Sequence, residues 1–154
     1  MIQLQVIELG SPTAEQLAGF KAFFAGAGGE TDEQLTGMLR SAMAEVQEWE
    51  DRSLLAETLA VIQAQRTDPR APIRLYRSVT SVTSVTDEND AAVPYTRFGN
   101  MLYLGEPRRN VRVEYVTGPR EADLYELLPK AYRLAAAKYD GDDPKEINRI
   151  IMEG

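Results

Sequence analysis

Apolar residues along this chain keep one spacing near both ends and another in the middle, and that change of period constrains the fold more than any motif. After Thr31, residues Leu35, Met38, Leu39, Ala42, Met43, Val46 and Trp49 recur in steps of three and four, one stripe of a helix facing a core. Leu124, Leu127, Leu128, Ala131, Leu134, Ala135 and Tyr139 repeat that spacing towards the other end. Between them, Val111-Arg112-Val113-Glu114-Tyr115 alternates, with valines and tyrosine on one face and charges on the other, as a half-buried strand does. The fold class is therefore α+β: a helical core of N-terminal helices and a long C-terminal helix, with an antiparallel β section inserted between them.

Local signals refine this outline. Ser11 and Pro12 open a first helix, Thr13 with Gln16 can form a capping box, and Leu17, Phe20, Phe23 and Phe24 give it an apolar face. The run Gly26-Ala27-Gly28-Gly29 ends that helix. Thr31 opens the next, with Gln34 as reciprocal cap and with Asp32 and Glu33 placed to suit the helix dipole. Leu59, Val61, Gln63 and Gln65 read as a strand, followed by the turn Thr67-Asp68-Pro69. The run SVTSVTSVT over 78–86 is β-branched and favours a strand, but its period is three. Such a strand must either carry valine on both faces or contain a bulge. Asp87-Glu88-Asn89-Asp90 is a turn, and 93–98, 101–104 and 111–116 are short strands joined tightly enough to pair antiparallel. Pro129 interrupts the last helical pattern, so that helix is expected to begin there or to kink just before it. Asp140-Gly141-Asp142-Asp143-Pro144 stops it, and Ile147, Ile150, Ile151 and Met152 mark a short amphipathic tail. That tail either packs on its own domain or docks into a partner, and docking is the favoured reading.

Composition closes off several function classes. The chain of 154 residues has no cysteine and no histidine, which removes disulfides, thiolate metal sites, Ser-His-Asp triads and Cys-His nucleophiles. No apolar run approaches the length of a bilayer span, and the opening MIQLQVIELG lacks the basic stretch of a signal peptide, so the chain is expected to be made and to fold in a cytoplasm. Net charge is −7, unevenly spread: residues 1–65 hold three basic and ten acidic side chains, residues 66–120 nine and six, and residues 121–154 five and eight. All nine cations of the middle stretch are arginine. Arginine pairs bidentately with carboxylates and is less strongly hydrated than lysine, so it suits interfaces. An acidic part and an arginine-bearing part on one subunit can pair with a neighbouring copy, although a solvated surface with chance clustering explains the split equally well.

The search for a reaction centre yields little. Asp140, Asp142 and Asp143 are the best candidates for a cation site, but the alternation and distal glutamate of an EF-hand are missing, and a helix-ending loop is the plainer reading. Glu45, Glu48, Glu50 and Asp51 lie opposite the apolar stripe and read as a solvated face. No phosphate-binding or dinucleotide glycine loop occurs. Arg108-Arg109 in a turn could touch DNA phosphate, though an ordinary surface turn accounts for them as well. No catalytic residue, cofactor or metal is expected, and the chain reads as a non-enzyme.

Three stretches together resemble the head–tail connector (adaptor) family of long-tailed phages and gene transfer agents. The first is the capped helix from Thr31-Asp32-Glu33-Gln34-Leu35 to Trp49, then Ser53-Leu54-Leu55. The second is Ile73-Arg74-Leu75 with SVTSVTSVTDEND. The third is Val111 to Gly118, then Leu128-Pro129-Lys130-Ala131-Tyr132 and the alanine-rich helix ending at Tyr139. They span most of residues 30–140, and order and spacing carry the likeness more than any single motif. Thr117 and Pro119 stand where the family more often has alanine and an aromatic around the glycine, and the first helix with its Gly26–Gly29 loop is looser than the family's usual start; both departures bear on the subfamily.

The resemblance implies one adaptor domain over 1–154, helical over 1–52, β-rich over 53–118, with a C-terminal helix over 119–140 and a tail over 141–154. It implies a homo-oligomeric ring, usually twelvefold, in a virion neck between the portal protein and a stopper or tail-completion protein. Double-stranded DNA would pass through the lumen without sequence-specific binding, and no membrane is involved. On this reading Ile147, Ile150, Ile151 and Met152 are the candidate portal anchor. Arg74, Arg77, Arg97, Arg108, Arg109 and Arg112 are the candidate contacts to neighbouring subunits or the next neck layer. The alternatives are another neck or tail component (a stopper or tail terminator), or a small metal-dependent enzyme acting on nucleic acid through Asp140, Asp142 and Asp143.

Overall fold

A computed structural model describes residues 2–24, 30–64 and 67–140. Its elements run β1 (Ile2–Leu9), α1 (Ala14–Phe23), α2 (Asp32–Glu50), β2 (Glu57–Gln63), β3 (Ile73–Arg74), β4 (Val79–Thr86), β5 (Tyr95–Phe98), β6 (Met101–Leu104), β7 (Val111–Thr117) and α3 (Glu121–Tyr139). The fold is α+β. Backbone contacts divide it into a β unit of Met1–Leu9 and Ala56–Gly118 and a helical unit of Gly10–Leu55 and Pro119–Gly154.

In the β unit, four antiparallel strands are ordered β1-β2-β7-β4, and three more are ordered β3-β6-β5. Burial alternates along β7, where Val111, Val113, Tyr115 and Thr117 are buried and the residues between them half-buried. These side chains share a core with Leu59, Val61 and Val85 of the larger sheet and with Ile73, Leu75, Val93, Leu102 and Leu104, contributed by the smaller sheet and the segments beside it. The Tyr115 hydroxyl, fully buried, accepts a hydrogen bond from the Tyr76 backbone N–H at 2.9 Å.

The period-three run resolves by bulging. Val79, Val82 and Val85 stand opposite Thr117, Tyr115 and Val113, and the ladder shifts register between Val79 and Ser81 and again between Val82 and Ser84. Thr80 and Thr83 are thus the extra residues of two successive bulges, and both are exposed. Inserting one residue per triplet converts a spacing of three into a side-chain period of two, so all three valines reach the core face. Residues 2–9, counted by the sequence reading within a helical section over 1–52, instead form β1, whose alternation Ile2-Gln3-Leu4-Gln5-Val6 is that of a strand.

In the helical unit both predicted capping boxes are present. The Thr13 hydroxyl accepts from the Gln16 backbone N–H at 3.1 Å and the Gln16 side chain accepts from that of Thr13 at 2.9 Å, with Thr31 and Gln34 doing the same at 3.2 and 2.9 Å. The α2 stripe buries Leu35, Leu39, Ala42, Met43 and Val46, but leaves Trp49 59 % exposed because it lies in the last turn of the helix. The terminal helix corrects one expectation: α3 starts at Glu121 and runs through Pro129. Proline here removes one backbone donor, the one that would meet the Tyr125 carbonyl, and Tyr125 is the most exposed large apolar side chain described. Solvent can satisfy that carbonyl, so the helix continues. The helix-ending glycine run 26–29, Gln65 and the Asp140 to Pro144 stop lie wholly or partly outside the described residues.

Buried polar groups tie the helices together. Gln47, 2 % exposed, accepts backbone N–H bonds from Leu54 and Leu55 at 3.1 and 3.2 Å, holding the chain as it leaves α2 through a left-handed Asp51. Asp123 is fully buried and accepts from Arg52 Nε at 2.7 Å, from Arg120 Nη2 at 3.0 Å and from the Arg120 backbone N–H at 2.9 Å. Hydrogen bonds to Glu126 and then Asp123 hold the Arg52 guanidinium above its ordinary ionisation range, and the bond to Asp123 does the same for Arg120. Glu50 pairs with the nearly buried Lys130 at 2.6 Å, and Glu45 with Lys138 at 2.5 Å, so two carboxylates of the face read as solvated, still partly exposed, also join α2 to α3.

Candidate assembly surfaces

The six candidate contact arginines all lie in the β unit, and most of their guanidinium groups engage their own unit. Arg74 on β3 is exposed, with its guanidinium carbon 5.2 Å from the Tyr76 ring centre. Arg77, in a left-handed conformation at φ 72°, turns its side chain inward to 10 % exposure, 3.7 Å from Glu57. Arg97 donates from Nε to the Gly99 carbonyl at 2.8 Å and from Nη2 to the Val79 carbonyl at 3.2 Å. Arg108 pairs with Glu106 at 2.6 Å, and its backbone N–H bonds the Thr67 hydroxyl at 3.0 Å. Arg109 is exposed beside it, its carbonyl accepting from the Glu88 backbone N–H. Arg112, on the face of β7 away from the core, reaches Gln5 of β1 at 3.3 Å and lies 3.9 Å from Glu114.

Regrouping the charges by unit sharpens the split seen along the chain. The β unit carries eight arginines against eight acidic residues, whereas the helical unit carries nine basic and sixteen acidic side chains and so holds the whole net charge of −7.

Two surfaces escaped the sequence reading. In the helical unit, α1 and α3 enclose an open groove of about 630 Å³ lined by Gln16, Gly19, Leu124, Tyr125, Leu128 and Tyr132 among others, with Glu15 and Glu121 also at its wall. Gly19 makes this approach possible: a Cβ there would stand 2.5 Å from the Tyr132 hydroxyl, which donates to the Gln16 carbonyl at 2.9 Å. Burial pushes the Tyr132 phenol up in pKa, and the Glu15 carboxylate adds to that. In the β unit, apolar side chains stand exposed on β1 (Ile2, Val6, Ile7) and on the β5–β6 hairpin (Tyr95, Phe98, Met101). Alternation in Ile2-Gln3-Leu4-Gln5-Val6 was the available signal for the first; nothing in 95–101 separates an exposed aromatic from a core one.

Among the described residues, no three His, Cys, Asp or Glu are grouped to hold a metal ion, and no helix is long and apolar enough to cross a membrane. Asp142 and Asp143 of the acidic cluster, and the tail residues Ile147, Ile150, Ile151 and Met152, lie outside the described residues.

No family model and no curated protein matches the chain. Solved structures do. A chain of the neck of an empty gene transfer agent particle, computed with C6 symmetry, superposes with a TM-score of 0.68 at 18 % identity, covering 98 % of this chain and 94 % of that one. A chain of the native gene transfer agent virion gives 0.68 at 17 % over the same shares. One from the neck of the native particle, computed with C12 symmetry, gives 0.58 at 17 % over 96 % and 94 %. Over nearly its whole length, then, the chain has the fold of a component of gene transfer agent particles, found in their necks.

Proposed function

We propose that this protein is a structural subunit of a phage-like neck: a head–tail connector, or adaptor, forming a homo-oligomeric ring between the portal protein and the stopper or tail-completion side. The observation that carries the reading is the end-to-end superposition on neck chains, with 94 % of those chains also covered. The similar structures come from necks treated with sixfold and twelvefold symmetry, which favours a ring and is compatible with twelve copies. The function is exercised through surfaces. Double-stranded DNA passes through the lumen, and a subunit with net charge −7 and only four lysines would not brake it by sustained phosphate binding.

Within this reading the tail residues Ile147, Ile150, Ile151 and Met152 are the portal anchor, while exposed arginines of the β unit, Arg74 and Arg109 first, meet neighbours or the next neck layer. Imaging of the chain mixed with its portal tests the assignment. The full chain is expected to add a ring beneath the portal, and a chain lacking residues 144–154 to keep its fold and lose that docking. Absence of a ring with the full chain overturns the function; unchanged docking of the truncated chain overturns the anchor.

A further inference from the structure

The core face of the larger sheet extends past its cover at one edge. Ile2, Leu4 and Val6 pair with Gln63, Val61 and Leu59, so they stand on the same face as the fully buried Leu59 and Val61. Leu4 packs partly against the core, yet Ile2 is 49 % and Val6 51 % exposed, and Ile7, the extra residue of a bulge between Val6 and Glu8, is 44 % exposed. An apolar row that continues a core without a layer over it is a surface made to be covered. It also lies on an eight-residue edge strand paired on one side, by β2.

The opposite edge of the same sheet is interrupted. There β4 carries its two bulges, and two of its carbonyls are occupied: Val85 O accepts from the Val93 N–H at 2.9 Å and Val79 O from Arg97 at 3.2 Å. At this edge the β5–β6 hairpin tip is fixed. The Asn100 side chain donates to the Arg77 carbonyl at 2.7 Å, the Asn100 carbonyl accepts from the Leu75 N–H at 2.8 Å, and Gly99 takes the left-handed turn position. The tip presents Phe98, 66 % exposed, directly across the hairpin from Met101, 37 % exposed.

We infer that the β1 edge of one copy is covered by the β5–β6 hairpin tip of the next copy, with Phe98 and Met101 closing over Ile2, Val6 and Ile7. The occupant is a second copy because one subunit presents both halves: the β1 edge of the larger sheet, and a hairpin of the smaller sheet whose tip is tied to the opposite, β4 side through Arg97 and Asn100. A contact joining two different patches is heterologous: it repeats head to tail and closes into a ring where the rotation per subunit allows, whereas pairing of β1 with β1 stops at a dimer. The bulged edge leaves β1 as the accepting side, and a rigidly held aromatic is the kind of group that anchors an interface. The inference deepens the neck reading and rests on it for the closed ring.

Since the chain has no cysteine, single thiols can be placed at will. Full-length chains carrying Val6→Cys and full-length chains carrying Phe98→Cys are treated, mixed and separately, with a short thiol-reactive bifunctional cross-linker. The expected result is a covalent dimer in the mixture and none with either chain alone. In parallel, Phe98→Ser is expected to weaken self-association of the otherwise native chain about tenfold or more, with an unchanged far-ultraviolet spectrum. Cross-linking of the Val6→Cys chain with itself, no product in the mixture, or unaltered association of Phe98→Ser each overturns the contact. Docking on the portal is scored independently: docking without the mixed product sinks the contact and leaves the neck reading standing, and the mixed product without docking does the reverse.

Discussion

Single residues decide how the helical unit is held, and those that matter most are polar. Gln47, Asp123 and Lys130 are all nearly or fully buried, Gln47 satisfied by the chain that turns back after α2 and the other two by groups distant in sequence. Hydrophobic spacing named the buried apolar positions well, since Leu39, Ala42, Leu127 and Leu134 are core as their periodicity predicts. It could not separate Gln47 from Glu48, because burial of a polar side chain depends on a partner folded against it and leaves no periodic trace. Tyr132 shows the same dependence in a form that can be measured. Its phenol ionises above the ordinary value of about 10 because the folded chain buries it. Below pH about 10 its contribution to stability is complete, and it declines as pH rises towards the higher folded value, where the unfolded chain releases the proton first. Tyr132→Phe is expected to cost about 1 kcal/mol at neutral pH, through the lost bond to the Gln16 carbonyl, and to flatten the alkaline decline. Urea titrations of both proteins between neutral and strongly alkaline pH check it; parallel curves would refute the role given to burial.

At the scale of elements, the strand over 79–86 shows how a sequence can be read correctly and still leave its geometry open. The run SVTSVTSVT required either valine on both faces or a bulge, and the structure takes the second course twice. The threonines at 80 and 83 are the surplus residues, so removing one should leave the valine register intact. Deletion of Thr83 is expected to shift the melting temperature by only about 2–4 °C, equivalent to about 1 kcal/mol. Deletion of Val82 instead places Thr83 opposite Tyr115 and exchanges a valine for a hydroxyl on the core face, at a cost of about 1–2 kcal/mol beyond that. Thermal melts of the two deletions rank them; equal destabilisation would contradict the register. The long helix marks the opposite limit of the sequence reading. Proline was treated as a start or a kink, but its consequence depends on whether the orphaned carbonyl can meet water, and Tyr125 lies on the exposed side of the helix.

For the whole molecule, the sequence announced the order of parts but not how they group. Strand β1 belongs to the β unit although two helices separate it from the next strand, and α3 completes the helical unit after seven strands have passed. Periodicity identifies what a segment is, and pairing across 50 residues or more is decided by tertiary contacts that no local pattern encodes. The candidate surfaces were only half legible for a related reason. The arginines were visible as a cluster in sequence, yet the fold turns Arg77 inward and ties Arg97 to Val79, while the exposed Val6 and Phe98 look in sequence like ordinary core residues.

Because the chain crosses between the units three times, neither one is a continuous length of polypeptide. A ribosome therefore finishes the β unit at residue 118 while α1 and α2 still await their third helix, and the helical unit can mature only after α3 has emerged. A fragment ending at residue 118 is expected to show cooperative protection from hydrogen exchange in β2, β4 and β7 and none beyond fraying in α1 and α2. Protection of α2 in that fragment would mean the helical unit does not depend on α3. During translation the acidic helices thus mature after the strands, and the nascent subunit carries its strand-built half ready-made ahead of them.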